Sequence, residues 1–326
     1  MPEPHCKYRA PRWLPGGNLQ TLYPALLAPV PAVAWHRERW DTPDGDFIDL
    51  DWTGPQERGL RSEGGPPPLL VLFHGLEGSS NSHYARALMH AAGARGWRGV
   101  VVHFRGCSGE INRLPRAYHS GDSTEIDWIL RRLRDRHAGA LFAAGVSLGG
   151  NALLKWLGEQ RENAGSVVTR AAAVSAPLDL HAAADALEHG FNMNYTRNFL
   201  ATMKRKSFAK LRAHPGLFDV ARLREARTLR EFDDLVTAPL HGFRDVDDYY
   251  TRSSSKPWLA CITVPTLLLN ARNDPFLPAA ALPALHELAT AVSAVFPDEG
   301  GHVGFPDTAG TLAWLPRSVL EFFIHG

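Results

Sequence analysis

The 326 residues are 44% hydrophobic and 21% charged, which excludes a disordered chain and supplies material for a substantial core. With 35 Lys and Arg against 34 Asp and Glu the formal charge is +1, so the chain lacks the basic field expected of a nucleic-acid partner, and a charge-neutral ligand is expected. Three scattered cysteines, Cys6, Cys107 and Cys261, exclude a disulfide-stapled secreted framework; without a basic-then-apolar leader or an 18-residue apolar window, a cytoplasmic chain with no membrane span is expected.

Residues Val33 to Trp52 alternate polar and apolar around "TPDGD", the pattern of an antiparallel hairpin, and a Gly/Pro-rich link, "TGPQERGLRSEGGPPP", follows. Then "LLVLFHG" reads as a strand buried on both faces, "HYARALMHAAGARG" as a helix and "GVVVHF" as a second buried strand. "DSTE" at Asp122 offers a capping box for the helix "IDWILRRLRDR". Strand "ALFAAGV", helix "NALLKWLGEQ" and strand "VVTRAAAVSAP" continue the alternation, which predicts an α/β fold with a mostly parallel sheet covered by helices on both faces. Between Leu178 and Ser255 the rhythm breaks into helical patterns, an insertion expected to pack over the sheet. It resumes with strand "VPTLLLN", helix "ALPALHELA", strand "AVSAVFP" and closing helix "TLAWLPRSVLEFFIHG". The expected organisation is an N-terminal segment 1–32 packed on the core, a first core part 33–177, a helical cap 178–255 and a second core part 256–326.

Gly145-Val146-Ser147-Leu148-Gly149 falls between a strand and a helix. Flanking glycines let the backbone turn sharply and lift Ser147 above the sheet edge, although five residues alone also fit a structural serine. A serine hydroxyl needs a base to take its proton, a carboxylate to orient the base, and donors for the oxyanion. Asp274 follows the strand "TLLLN" and His302 follows the last strand, both just past strand ends, where open α/β sheets place their sites. Asp298 lies too close in sequence to His302 to reach the far side of its ring easily. Ser108 and Cys107 lack the flanking glycine pattern. The backbone N–H groups of Leu148 and of Leu76, in the loop "HGLEG", are the expected oxyanion donors, with His74 bracing that loop. No HExxH or Cys/His cluster suggests a metal, and no cofactor is expected.

The segments "PRWLPGGNLQTLYPALL", "FHGLEGSSNSHYARAL", "HFRGCSGE", "YHSGD", "GVSLGGNALLKWLGE", "FDDLVTAPLHGFRDVDDYYTRSSS" and "NARNDPFLP" resemble the YheT-like family of α/β-hydrolases, related to the plant embryogenesis-associated hydrolases. That resemblance spans nearly the whole chain. It implies the α/β-hydrolase fold, carboxylic ester hydrolysis, and Ser147 as nucleophile, Asp274 as acid and His302 as base. Acyl transfer to an alcohol, or ligand binding without catalysis, stays open. Of Phe191, Met193, Tyr195, Phe199, Phe208, Leu217, Phe218, Phe232 and Phe243 in the insertion, some are expected to line an acyl pocket and most to pack its core. "MKRKSFAKLR" reads as a solvated helix face balanced by the acids of "REFDD", in preference to a phosphate or membrane contact, and "FRDVDDYY" as part of the cap junction. The expected partner is a small ester, with no nucleic acid; peripheral lipid contact and oligomeric state are open.

Overall fold

The computed structural model describes residues 8–54 and 65–326; Cys6 and most of the Gly/Pro-rich link lie outside the described residues. Among the described residues, eight strands form one sheet: β1 (His36–Asp41), β2 (Phe47–Thr53), β3 (Leu69–Phe73), β4 (Arg98–His103), β5 (Leu141–Val146), β6 (Arg170–Val174), β7 (Thr266–Leu269) and β8 (Val292–Val295). Their order is β1-β2-β4-β3-β5-β6-β7-β8. The hairpin β1–β2 forms because "TPDGD" closes tightly, with Gly45 at φ 85° and the Thr42 N–H donating to the Asp46 carbonyl. Strand β2 pairs antiparallel with β4, and every pair from β4 onward is parallel.

Eleven α-helices accompany the sheet among the described residues: α1 (Gly16–Leu26), α2 (His83–Gly93), α3 (Ser123–Arg136), α4 (Leu148–Gln160), α5 (Leu180–Leu187), α6 (Met193–Ala213), α7 (Val220–Glu225), α8 (Leu229–Phe232), α9 (Ala238–Leu240), α10 (Val246–Ser253) and α11 (Trp314–His325). The continuous apolar runs are explained by burial on both faces. Leu69, Val71 and Phe73 of β3 join Val100 and Val102 of β4 in a core with α3 and α4, whereas Leu70, Leu72 and Val101 point to the opposite core with α2 and α11. That period of two leaves no interior position of β3 or β4 free for a polar side chain.

Between β6 and β7 the chain runs through α5 to α10, with a π-helical turn, Asp233–Thr237, joining α8 to α9. Leu187, Leu200, Phe218, Leu223 and Phe232 form a separate apolar cluster here, and Phe276, from the loop after β7, is part of it. The insertion is thus bolted to the loop that carries Asp274.

Three local expectations are corrected. "ALPALHELA" is no helix: it makes two short 3-10 turns, Ala279–Ala281 and Leu285–Glu287, because Pro283 between them offers no N–H and disfavours helix at Leu282. The capping box at α3 is half made. Asp122 accepts from the Glu125 N–H, but the Glu125 carboxylate turns away to Arg105 Nε at 2.7 Å. Finally, the basic run on α6 is not simply a solvated face. Lys206 reaches Glu77, and Lys210 is buried, donating to Asn112 Oδ1 at 2.6 Å and to the Leu114 and Arg116 carbonyls. Of the acids of "REFDD" expected to balance them, Asp233 accepts from Thr237 and Tyr250, and Glu231 accepts from the Arg227 and Thr228 N–H groups.

Candidate active site

Ser147 sits where β5 ends and α4 begins, with φ 53° and ψ −122°, a backbone conformation that costs a non-glycine residue about 1–3 kcal/mol. Packing enforces it. A Cβ on Gly149 would lie 2.4 Å from the Phe73 carbonyl oxygen, so only glycine lets α4 start this close to β3. The Ser147 N–H donates to the Val174 carbonyl, 2.8 Å, which ties the turn to the neighbouring strand end.

Loops at the same edge of the sheet bring Asp274 and His302 to this turn. His302 Nδ1 lies 2.9 and 3.1 Å from the two Asp274 carboxylate oxygens, and His302 Nε2 lies 2.9 Å from Ser147 Oγ. A carboxylate only accepts, so Nδ1 carries the proton and Nε2 is left to accept from the serine hydroxyl. The Asp274 side chain is almost fully buried, and its Oδ1 also accepts from the Phe276 N–H at 2.8 Å. Asp298, the alternative acid, is exposed and faces Arg272 at 3.7 Å. Cys107 is buried, which pushes its thiol up to about 11, and the Ser108 carbonyl accepts from Arg37.

The loop 74–78 lies directly against the serine: a Cβ on Gly75 would be 3.1 Å from Ser147 Cβ. His74 is fully buried, and burial holds its imidazole down to about 3, hence neutral. Its Nδ1–H donates to the Gly75 carbonyl, 2.7 Å, and its Nε2 accepts from the Phe104 N–H, 3.1 Å. The Tyr84 hydroxyl accepts from the Gly75 N–H at 2.8 Å. Leu148, first residue of α4, has no acceptor for its N–H within its own helix.

A second set of residues escaped the sequence reading. Helix α1 packs its buried face on the loops that carry Asp274 and His302: Gln20 Oε1 accepts from Asn273 Nδ2 and the Gly300 N–H, and Thr21 Oγ1 accepts from the His302 N–H at 2.8 Å. Gly17 and Gly304 permit the approach, since a Cβ on either would lie 1.9 Å from a backbone oxygen, of Asn273 and Gln20 respectively. Ser175, at φ 50°, accepts from the Val303 N–H through its hydroxyl. The available signal was a Gln-Thr pair on the same helical face as Gly17 and Pro24, opposite the exposed Leu19 and Leu26.

Above Ser147 and His302 lies a cavity of about 160 Å³ between the strand ends and the insertion. Phe199, Phe218 and Phe232 border it, joined by Met203, Leu187 and Phe276. Of the other insertion aromatics, Phe191 is exposed, Tyr195 donates to Asn18, and Phe243 packs on Tyr249 and His119. Among the described residues no group of three or more His, Cys, Asp or Glu is placed to hold a metal.

A strand-end serine on a strained turn, hydrogen-bonded through a histidine to a carboxylate, agrees with the family comparison: the model described as alpha/beta hydrolase fold matches residues 68–309. The chain belongs to the α/β hydrolase fold family. Within that family it is YheT-like, being 43% identical over 312 residues to "Putative esterase YheT" of Escherichia coli (strain K12), across 94% of this chain and 89% of that one. Mouse "Phospholipase ABHD3" is 32% identical, across 88% and 70% of the two chains, and the plant "Embryogenesis-associated protein EMB8" of Picea glauca is 27% identical, across 97% and 71%. Among solved α/β structures, Est1E from Butyrivibrio proteoclasticus, bound to ferulic acid, aligns with a TM-score of 0.56 at 12% identity, covering 88% of this chain and 98% of that one. The esterase EaEST from Exiguobacterium antarcticum aligns with a TM-score of 0.54 at 17% identity, covering 87% and 98%. At these identities the two structures speak to the fold alone.

Proposed function

We propose that this protein hydrolyses carboxylic esters through an acyl-enzyme formed on Ser147. The observation that carries the reading is the hydrogen-bonded series Ser147 Oγ, His302, Asp274 at the floor of an apolar cavity. Names given to relatives, an esterase and a phospholipase, support an ester substrate.

In this mechanism His302 Nε2 takes the hydroxyl proton as Ser147 Oγ attacks the ester carbonyl carbon. Asp274 holds the ring in the required tautomer and stabilises the imidazolium. The carbonyl oxygen becomes an oxyanion received by the Leu76 and Leu148 N–H groups. When the C–O bond breaks, Nε2–H protonates the departing alkoxide. Water, deprotonated by the same nitrogen, then attacks the acyl-serine and releases the carboxylic acid. The insertion cavity takes an apolar acyl chain, each buried methylene contributing about 0.8 kcal/mol. No metal or organic cofactor takes part. The free Cys107 and Cys261 suit a reducing cytoplasm, and no described helix is long and apolar enough to cross a membrane.

A fluorophosphonate probe is expected to label Ser147 in the wild type, and Ser147→Ala to lose both labelling and turnover of a p-nitrophenyl ester. Retained turnover in that variant would defeat the mechanism. Product analysis with and without added alcohol separates hydrolysis from acyl transfer.

A further inference from the structure

The residue after Leu76 is an acid on the proposed oxyanion loop, its side chain 9% exposed. Glu77 adopts φ 56°, the left-handed region, and several contacts hold it there. Its N–H donates to the Tyr118 hydroxyl at 2.9 Å. Its Oε1 accepts from that same hydroxyl and from Lys206 Nζ, both at 2.8 Å. Its Oε2 is buried with no protein partner. Lys206 comes from α6, on the far side of the cavity, and its Nζ also lies 3.3 Å from Cys107 Sγ. Leu76, Glu77, Tyr118 and Lys206 all border the cavity that holds Ser147 and His302.

A carboxylate one residue from an oxyanion donor opposes the chemistry, because negative charge develops on the substrate oxygen in a site of low dielectric. Lys206 is, among the described residues, the one cation within ion-pair distance of Glu77. We infer that Glu77 and Lys206 form a charge-cancelling strap: the carboxylate pins the oxyanion loop in its strained conformation, and the ammonium, delivered by the insertion, removes the electrostatic penalty that this carboxylate would impose. Both are positioning residues, and the inference rests on the ester-hydrolase reading above. The other titratable groups against Glu77 are Cys107 and Tyr118; burial raises the thiol to about 11 and holds the phenol well above its ordinary value, so neither supplies charge. Burial disfavours the Lys206 ammonium, and the ion pair and hydrogen bond to Glu77 act against that.

The test compares wild type, Lys206→Met, Lys206→Arg, Glu77→Gln and the Glu77→Gln/Lys206→Met double variant for kcat and KM on one p-nitrophenyl ester, from acid to alkaline pH, with thermal unfolding as the control for folding. Lys206→Met is expected to lose on the order of 10- to 100-fold in kcat with a smaller change in KM. Lys206→Arg should keep most of the activity. The double variant should recover at least about tenfold over Lys206→Met. A Lys206→Met variant equal to wild type, or a double variant no better than it, overturns the strap. Should Lys206→Met not fold, Lys206→Gln takes its place, read against its own Glu77→Gln/Lys206→Gln double variant with the same two outcomes. Wild type without ester turnover defeats the parent reading along with this one, whereas wild-type turnover with no effect of charge defeats the strap alone.

Discussion

The phenyl ring of Phe276 stacks on the His302 imidazole, with centroids 4.0 Å apart and planes 22° from parallel. The Phe276 amide meanwhile donates to Asp274. One residue therefore clamps the proposed base with its side chain and the acid with its backbone. Phe276→Ala removes only the side-chain half, so the imidazole gains freedom while its carboxylate stays in place. A fall in kcat of roughly 10- to 100-fold is expected, with Phe276→Leu less affected. Steady-state kinetics beside a thermal melt check this, and an unchanged kcat in Phe276→Ala would refute the clamp.

Asp274→Asn keeps the shape of the acid but can donate to His302 Nδ1, which stabilises the tautomer with its proton on Nε2, facing the serine. A loss of about 10⁴-fold in kcat is expected, by analogy with the same exchange in serine proteases, with the fold intact. Fluorophosphonate labelling rates report this directly. Rates close to wild type would show that another group orients the histidine.

Helix α1 supplies acceptors to buried donors, and removing an acceptor while leaving the donor buried costs about 1–3 kcal/mol. Gln20→Leu strands Asn273 Nδ2 and the Gly300 N–H, and Thr21→Val strands the His302 N–H. Both variants should unfold at lower temperature and lose kcat more than they raise KM, since the loops they brace carry Asp274 and His302. Loss of stability with full kcat would show that α1 supports the fold but not the geometry of these loops.

Burial raises Asp233 to about 6, with Thr237 and Tyr250 only partly offsetting it. The raised value in the folded chain means that the unfolded chain gives up its proton first. Asp233 is thus without effect on stability below its unfolded value near pH 4, grows destabilising as pH rises, and reaches its full penalty, roughly 2–3 kcal/mol, above about pH 6. Asp233→Asn does not titrate, so its stability relative to wild type should climb across that window. Urea titrations at a series of pH values measure the slope, and a flat or falling difference would contradict the assignment.

What the sequence disclosed follows from range. Strands such as "LLVLF" are read from their own apolar runs, and the order Ser147, Asp274, His302 follows from strand ends, because these signals are local. Short-range chemistry misled where a long-range partner competed: Glu125 forgoes its cap for Arg105, 20 residues away, and Lys206 and Lys210 turn to loops 129 and 98 residues away. Pro283 was visible and should have ended the helix expected around it. The support that α1 gives to His302 spans 281 residues between Thr21 and His302, and no periodicity reports a contact of that range.

That same contact imposes an order of events on a chain synthesised from its N-terminus. Ser147 and its strained turn are made before the proposed base, which arrives in a later loop, and that loop is seated by a helix translated earlier than either. Until the two meet, the serine has no partner to take its proton. On the proposed mechanism, chemical competence is therefore withheld from the nascent chain, and a polypeptide interrupted anywhere before residue 302 is expected to be inert however well its sheet had formed.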